Sequence, residues 1–348
     1  MSRTTPPRPL DVTALFPRLA PLARTATRLH PHPGSPSPHD SSVGGPLLWP
    51  ADEPWPHCEG PHVWDQVNTI LSPQDVRQQR SIRAAVASRP KGIPEMVRFT
   101  PEERAIDSLI KAGRPWPDGP VPMLPVAQLY TRDIPRLRPP GTAEADVLQV
   151  LWCPFDHPEH PRTALFWRSA AAVTPVLTAH PEPPAVQFPG YVPQPCLLSP
   201  EDVTDYPNPL ELDEEVQQQL AEWSAWQAAG PAVDSSYAIA PQEFYLNKLS
   251  HAPGWKVGGW TRWGLTDPTP RDCDACGTEM DPLLTISSAE WDPSTESWIP
   301  YEDQSRSTQS LTDPEPWNPT MLDLARGYDL QLHVCPVSPD HPHLELIQ

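Results

Sequence analysis

The chain has 348 residues, enough for one large domain or two ordinary ones. Its 53 prolines favour disorder, but its 14 tryptophans supply the buried aromatic area that disordered chains lack, so we expect a folded protein with proline-rich loops. The formal net charge of −19 argues against a nucleic-acid partner, whose phosphates need basic side chains, and it permits a basic protein or peptide partner.

Residues 1–42 are predicted to form an N-terminal helix followed by a proline-rich lead-in. The apolar spacing after residue 10 is helical, but Pro17 and Pro21 interrupt it, so any helix there is short or kinked. The lead-in ends in the loop HPHPGSPSPHDSS, whose composition is typical of turns.

A helical insert is predicted at residues 72–113. Ser72 is the N-cap of its first helix. Thr100 and Glu103 form a capping box at the start of its second helix, and Gly113 ends that helix. These helices are interpreted as packing elements.

A linker with a helix is predicted at residues 201–235. Leu212, Val216 and Leu220 recur every four residues, which places them on one face of a helix. This linker separates a first β-rich copy at residues 43–200 from a second at residues 236–348.

The two copies are predicted because three short landmarks occur twice in the same order. A repeated Gly-Gly pair within the first landmark marks the same tight turn in each copy, formed by Gly44 and Gly45 and by Gly258 and Gly259. The landmark pairs are VGGPLLW (43–49) with VGGWTRW (257–263), MLPVAQL (123–129) with MDPLLTI (280–286), and LQVLWCP (148–154) with LQLHVCP (330–336).

The landmarks are rich in β-branched and large apolar residues, which is typical of strands. We therefore predict an α+β fold that is β-rich, with predominantly antiparallel sheets and an internal duplication of a β unit carrying helical inserts. The alternative is a chance similarity between short apolar strands.

A metal site is predicted around the stretch CDACG. Cys273 and Cys276 are separated by two residues, a spacing that lets both thiolates reach one Zn²⁺ ion from a tight turn. The third landmark of the second copy supplies Cys335. Ser338 stands where zinc ribbons commonly place a fourth cysteine, and a neutral hydroxyl is a poor zinc ligand.

Histidines that follow Ser338 offer the missing donor. We predict a structural zinc ion held by Cys273, Cys276, Cys335 and His341, with His343 as the substitute for His341. The alternative is a set of reduced thiols in a turn that has lost its metal.

The first copy carries a similar set of side chains. Cys58, Cys153 and His157 occupy corresponding places, with His57 and His160 beside them. They are predicted to form a second or degenerate metal site. The sequence contains no phosphate-binding glycine loop, nucleophile elbow or His-Glu-x-x-His motif, so no catalytic residue is predicted.

The motifs SSVGGPLLWPADEPWPHC, PVAQL, LQVLWCPFDHP and WKVGGWTRW followed by CDACG resemble those of the bacterial YwqG-like proteins. This group is classed with programmed cell death protein 2 and the related yeast ribosome-assembly factor. The resemblance covers roughly residues 10–348 and implies a duplicated β-rich fold. The eukaryotic relatives hold a basic ribosomal protein before assembly, which implies a chaperone-type function. Ser338 departs from the fuller zinc-binding pattern.

The first functional hypothesis is a non-enzymatic protein- or peptide-binding module of chaperone type, with a basic client. Its groove would lie between the two copies and use tryptophans as anchors. The alternatives are an immunity-type inhibitor in a toxin system and a zinc-dependent hydrolase. The predicted anchors are Trp49, Trp55, Trp260 and Trp263.

The sequence also indicates where the protein works. Its first residues lack the apolar run of a signal peptide, and no stretch approaches the roughly 20 apolar residues of a membrane span, so no membrane partner is expected. Six cysteines in an unexported chain are more often thiols or metal ligands than disulfides. A cytoplasmic location is therefore expected.

Overall fold

The computed structural model describes residues 2–62, 69–89, 98–141, 144–157, 160–230, 233, 235–307 and 315–348. Within these residues the fold is α+β and β-rich, with two six-stranded antiparallel sheets and one two-stranded sheet. The strands are β1 Arg24–Arg28, β2 His32–Pro33, β3 Ser42–Val43, β4 His57–Cys58, β5 Val121–Pro122, β6 Leu124–Tyr130, β7 Val147–Asp156, β8 Pro161–Arg168, β9 Cys196–Leu197, β10 Glu201–Asp205, β11 Lys256–Gly258, β12 Asp281–Ile286, β13 Leu330–Val334 and β14 Leu344–Ile347.

Short helices lie between the strands. The helices are α1 Val12–Leu15, α2 Pro73–Ala87, α3 Pro101–Lys111, α4 Glu214–Ala221, α5 Trp223–Gln227, α6 Pro241–Phe244 and α7 Gln304–Ser307, with a π-helical turn at Tyr245–Ser250 and 3-10 turns at Pro17–Leu22, Ala170–Ala172, Pro189–Tyr191, Pro209–Glu211, Ser235–Tyr237 and Pro293–Trp298.

The two large sheets have the same strand order. Sheet I runs β2-β9-β3-β6-β7-β8, and sheet II runs β10-β1-β11-β12-β13-β14. In each sheet the last four strands follow one another along the chain as an antiparallel meander. The predicted copies supply these meanders, residues 43–200 in sheet I and residues 236–348 in sheet II.

Each sheet takes its second strand from the segment that leads into the other meander. β1 and β2 precede the meander of sheet I, yet β1 pairs with β10 and β11 in sheet II. β9 and β10 precede the meander of sheet II, yet β9 pairs with β2 and β3 in sheet I. Backbone hydrogen bonds therefore tie the two sheets to each other.

The repeated landmarks also share a register. The pairing of β6 with β7 shifts at Val126, and the pairing of β12 with β13 shifts at Leu283, which is the residue that the landmark alignment places opposite Val126. The shared position of this bulge supports an internal duplication. The common origin of the two halves stays a prediction.

The two Gly-Gly pairs form turns at matching positions, although Gly259 also has a positive φ of 80° and Gly45 does not. Gly44 and Gly258 have positive φ values of 63° and 69°, a region that favours glycine. A Cβ atom on Gly45 would lie 2.6 Å from Ser42 Oγ, and Gly259 is crowded in the same way by a carboxylate. At both turns the chain reverses and runs back over the outer face of its own sheet.

A buried glutamine holds each returning segment. Gln149 Nε2 donates to the carbonyl oxygen of Leu48 at 2.7 Å. In the equivalent position, Gln331 Nε2 donates to the Arg262 carbonyl at 2.8 Å, and Gln331 Oε1 accepts from the Arg262 N–H at 2.8 Å. Each glutamine satisfies backbone groups that the sheet itself cannot reach.

The main core lies between the inner faces of the two sheets. Alternate residues of the central strands point into it, because successive side chains of a strand face opposite sides. The buried residues of these two strands in the core are Leu148, Val150 and Trp152 from β7 and Leu330 and Leu332 from β13.

The predicted helices are confirmed at their N-termini. Ser72 caps α2 and Thr100 caps α3, and in each case the third helical residue completes a capping box. The linker helix is broken into α4 and α5 at Glu222, which has an extended backbone. Val216 and Leu220 are buried on one face of α4 as predicted, whereas Leu212, also buried, precedes that helix.

Two predicted segments contain strands that the sequence did not reveal. The predicted lead-in, residues 1–42, holds β1 and β2, and the predicted linker, residues 201–235, begins with β10. These strands are short and polar, with residues such as Arg24, Thr25 and Asp202 exposed, so they lack the apolar alternation that marks a strand. Their pairing across the molecule stabilises them.

We expect the Gln331→Leu substitution to lower the free energy of unfolding by about 2 to 4 kcal/mol, because it leaves the N–H and carbonyl of Arg262 without partners. Urea denaturation followed by tryptophan fluorescence measures the change. Gln218→Leu is the matched control, since this glutamine is exposed on α4, and it is expected to change the same free energy by less than about 0.5 kcal/mol. Equal effects at the two positions would contradict the role of Gln331.

Candidate metal centres

The CDACG stretch forms the tip of a hairpin before β12. Cys273 N–H donates to the Thr278 carbonyl at 2.8 Å, and Gly277 N–H donates to the Cys273 carbonyl at 2.7 Å. These bonds close a tight turn that directs the thiols of Cys273 and Cys276 to one side. The backbones of Asp272 and Glu279 form an antiparallel β-bridge at the base of the hairpin.

The other two donors of this second-half centre come from the end of β13. Cys335 Sγ lies 3.5 Å from Cys276 Sγ. His341 Nδ1 lies 3.2 Å from Cys335 Sγ and 3.6 Å from Cys273 Sγ. The four predicted ligands, Cys273, Cys276, Cys335 and His341, are therefore brought together, and their donor atoms all lie within 4.8 Å of one another.

These separations suit a tetrahedral ion. Zinc at about 2.3 Å from sulfur and about 2.0 Å from nitrogen places two ligand sulfurs about 3.8 Å apart, and a sulfur and a nitrogen about 3.5 Å apart. The sulfur–sulfur distance of 3.5 Å and the sulfur–nitrogen distances of 3.2 and 3.6 Å are close to these values. The residues present thus fit a divalent metal ion.

The thiols of this centre differ in acidity. The Thr278 hydroxyl, which is hydrogen-bonded to Cys276, is the main cause that lowers the pKa of that thiol to about 6. Burial raises the pKa of Cys335. A bound cation would favour the thiolate form of each cysteine.

The first half contains an equivalent centre. Its ligand atoms belong to Cys58, His62, Cys153 and His157, and they too lie within 4.8 Å of one another. Cys58 Sγ is 3.3 Å from His157 Nε2. Cys153 occupies the position in β7 that Cys335 occupies just after β13, so the two centres lie at matching ends of the two sheets.

The hairpins that carry the centres also match. β4 pairs with β5 in the first half, with His57 opposite Pro122, as Asp272 is opposite Glu279 in the second half. In the second half the hairpin closes with a turn at residues 274–277. In the first half residues 59–120, which include α2 and α3, take the place of that turn.

The two thiols of the first-half centre are hydrogen-bonded to each other. This hydrogen bond is the main cause that lowers the pKa of Cys58. The same hydrogen bond, followed by burial, raises the pKa of Cys153. Two thiols next to two imidazoles are a donor set for a divalent cation.

His62 is the ligand that sequence reasoning missed. Its spacing from Cys58 is one residue longer than that between Cys273 and Cys276, so it does not read as half of a Cys-x-x-Cys pair. A search for a second metal donor three or four residues after Cys58 would have found His62. His57 is exposed and lies outside the cluster of donor atoms, and its Nδ1 is 2.8 Å from the Trp55 carbonyl.

Other candidate donors lie outside both centres. His343 Nε2 lies 2.6 Å from Thr163 Oγ1, so it is not the substitute ligand predicted for the second-half centre. His160 Nδ1 lies 3.7 Å from a carboxylate oxygen of Glu345. Ser338 begins the turn that presents His341, whose N–H donates to the Ser338 carbonyl at 3.4 Å.

The predicted tryptophan anchors are mostly core residues. Trp49, Trp55 and Trp263 are buried, which removes them from any contact surface and corrects their assignment as anchors. Trp49 and Trp263 end the two returning segments, so the covered outer face of each sheet buries them. Trp260 is half-buried, with Arg24 stacked 3.6 Å from its ring centre and its Nε1 bonded to the Leu22 carbonyl.

No family model matches the sequence, and no curated protein matches it. Among the described residues, no helix combines the length and the apolar character needed to cross a membrane.

We expect the purified protein to bind two equivalents of Co²⁺, which is a spectroscopic probe for thiolate sites. The substitutions His341→Ala and His157→Ala should each lower the affinity for Co²⁺ at one centre at least tenfold. Each variant removes one of four donors from one centre. Titration followed by thiolate-to-cobalt charge-transfer absorption measures this. The matched control is His160→Ala, which removes a half-buried histidine outside both clusters and should leave both equivalents intact. Loss of both equivalents in either variant would contradict two independent centres.

Proposed function

We propose that this protein is a non-enzymatic protein- or peptide-binding module of chaperone type, with a structural zinc ion in each half and a basic client. The likeness to the YwqG-like proteins supports this proposal through the motifs quoted above. The thiol ligands need a reducing environment to remain free, and all six cysteines are free, which favours the cytoplasm.

The donor sets support a structural role for the metal. Each centre offers four protein donors, whereas catalytic zinc sites keep a position for water or substrate. Glu279, which follows Cys276 by three residues, is exposed, and its carboxylate lies 3.5 Å from Arg271. The zinc-dependent hydrolase considered from the sequence therefore gains no support from the side chains around this centre.

The observation that carries the binding proposal is a groove at the junction of the two halves. Its volume is about 450 Å³. Its floor is the inner face of sheet II, where Val257, Leu283 and Val334 lie. Its opposite wall is the segment at residues 136–141, which belongs to the first half. An apolar floor with a polar rim is typical of a peptide-binding groove.

The charge beside this groove favours a basic client. Four carboxylates, those of Asp272, Asp274, Glu279 and Asp281, are exposed along the hairpin of the second-half centre, and Asp281 lines the groove. Clustered carboxylates attract basic chains and speed their capture, and salt weakens the attraction. The hairpin that the metal stabilises would thus also present the charge.

We expect that removal of the metal by a chelator stronger than EDTA lowers the melting temperature of the protein, because the free energy of metal binding at a structural site contributes to the stability of the fold. Differential scanning calorimetry with and without added Zn²⁺ measures the change. Restoration of the melting temperature by Zn²⁺ and not by Mg²⁺ is the expected control result. An unchanged melting temperature after complete metal removal would rule out a structural role.

We expect the immobilised protein to capture predominantly basic proteins from a native lysate, with capture falling as salt rises. The double variant Asp272→Lys, Asp274→Lys should reduce capture at least tenfold, because it reverses the charge of the hairpin. Glu214→Lys, Glu222→Lys is the control with the same change in net charge on the exposed linker helices. Capture of mainly acidic proteins, or equal loss in both variants, would overturn the proposal of a basic client bound at the hairpin.

A further inference from the structure

In the first half, the position equivalent to the groove is filled by the chain itself. The segment at residues 189–194 crosses the inner face of sheet I. Trp152 Nε1 donates to the Tyr191 carbonyl at 3.0 Å, and the two rings pack with centres 6.1 Å apart. A Cβ atom on Gly44 would lie 2.9 Å from the Pro193 carbonyl oxygen, so the segment closes tightly over the turn.

An arginine fixes this segment through its backbone. Arg80 of α2 donates to the carbonyl oxygens of Val192 at 2.7 Å and Pro189 at 3.0 Å. Gln194 N–H donates to the Thr320 carbonyl at 2.7 Å. The segment, a 3-10 turn at Pro189–Tyr191 that continues into an extended backbone at Val192, is thus held by one aromatic contact and by donors to its carbonyl groups.

In the second half, the equivalent surface is open. The shared register places Val334 where sheet I has Trp152, and Gly258 where it has Gly44. A Cβ atom on Gly258 would find only the Thr25 carbonyl oxygen, at 3.7 Å, among the described residues. The smaller side chain of Val334 and the uncovered glycine leave the 450 Å³ groove.

We propose that this groove binds a segment of a partner protein that carries proline and an aromatic residue in a 3-10 turn, as the chain's own segment at 189–194 does in the first half. The inference rests on the proposed function, because it names the site and the chemistry of the bound segment. Proline restricts the backbone of the free segment, so the segment loses less conformational entropy on binding. The aromatic side chain lies over Val334, in the space that Trp152 occupies in the first half.

The rim supplies the polar contacts that such a segment needs. Arg138 is exposed at the rim and takes the place of Arg80 as a donor to the carbonyl oxygens of the bound chain. Arg136, also at the rim, is paired with Asp202 at 2.9 Å. Asp281 offers a carboxylate to a basic residue beside the aromatic one, which links this site to the proposed basic client.

The probe is a fluorescein-labelled peptide with the chain's own sequence QFPGYVPQP, residues 187–195. We expect it to bind the full-length protein saturably, and a peptide with alanine in place of Tyr191 to bind at least tenfold more weakly. Fluorescence anisotropy measures both. Failure of the probe to saturate at millimolar protein would overturn the inference.

Variants of the protein locate the binding. Val334→Trp fills the groove and should lower the affinity for the probe at least tenfold. Arg138→Ala should lower this affinity several-fold, and because Arg138 is exposed the substitution should leave the fold intact. Ile239→Trp is the control, because Ile239 is 98% exposed and lies outside both sheets. Undiminished binding in both groove variants would overturn the inference.

The failure of this inference is distinct from the failure of the proposed function. If clients are still captured in a hairpin-dependent way while the probe does not bind, the groove proposal fails and the binding function stands. If the protein instead dimerises in a way that Val334→Trp abolishes, the occupant is a second copy of this chain, and a partner segment is excluded. Loss of both client capture and probe binding removes both proposals.

Discussion

The exchange of leading strands between the two sheets is the constraint on which the rest of the structure depends. β1 precedes the strands of sheet I along the chain but pairs in sheet II, and β9 precedes the meander of sheet II but pairs in sheet I. Each sheet therefore obtains an internal strand from outside its own meander. Backbone hydrogen bonds thus join the two halves, although each has its own meander, its own returning segment and its own cluster of metal-binding side chains.

The faces of the two sheets are covered in the same way in both halves. The inner faces pack against each other, and each outer face is covered by a segment that reverses at a Gly-Gly turn and is held by Gln149 or Gln331. A hairpin with a thiol–imidazole cluster closes the end of each central strand. The halves differ at the helical insert, in the connection before the central strand (residues 131–146 against 287–329) and at the segment of residues 189–194, and the groove lies where this last difference leaves sheet II open.

Local signals in the sequence predicted the parts of the fold that local interactions determine. The N-caps Ser72 and Thr100 predicted where two helices begin. The spacing of Cys273 and Cys276, together with Cys335, indicated the second-half centre. Strands β1, β2, β9 and β10 were not predicted, because their stability comes from pairing with strands far along the chain. Such pairing leaves no local pattern in the sequence. The tryptophans were misjudged for a related reason, since composition reveals aromatic content but only tertiary packing decides whether a ring is buried.

The hairpins of the two centres show how much extra chain this architecture accepts at one point. A turn at residues 274–277 in one half corresponds to residues 59–120 in the other, yet the base of the hairpin and the ligand cluster have the same arrangement in both. Because loop-closure entropy rises only slowly with length, such an insertion costs little once the ends are pinned. The first half thus shows a graft point for extra chain, whereas an insertion in the second half would have to keep Cys273 and Cys276 together.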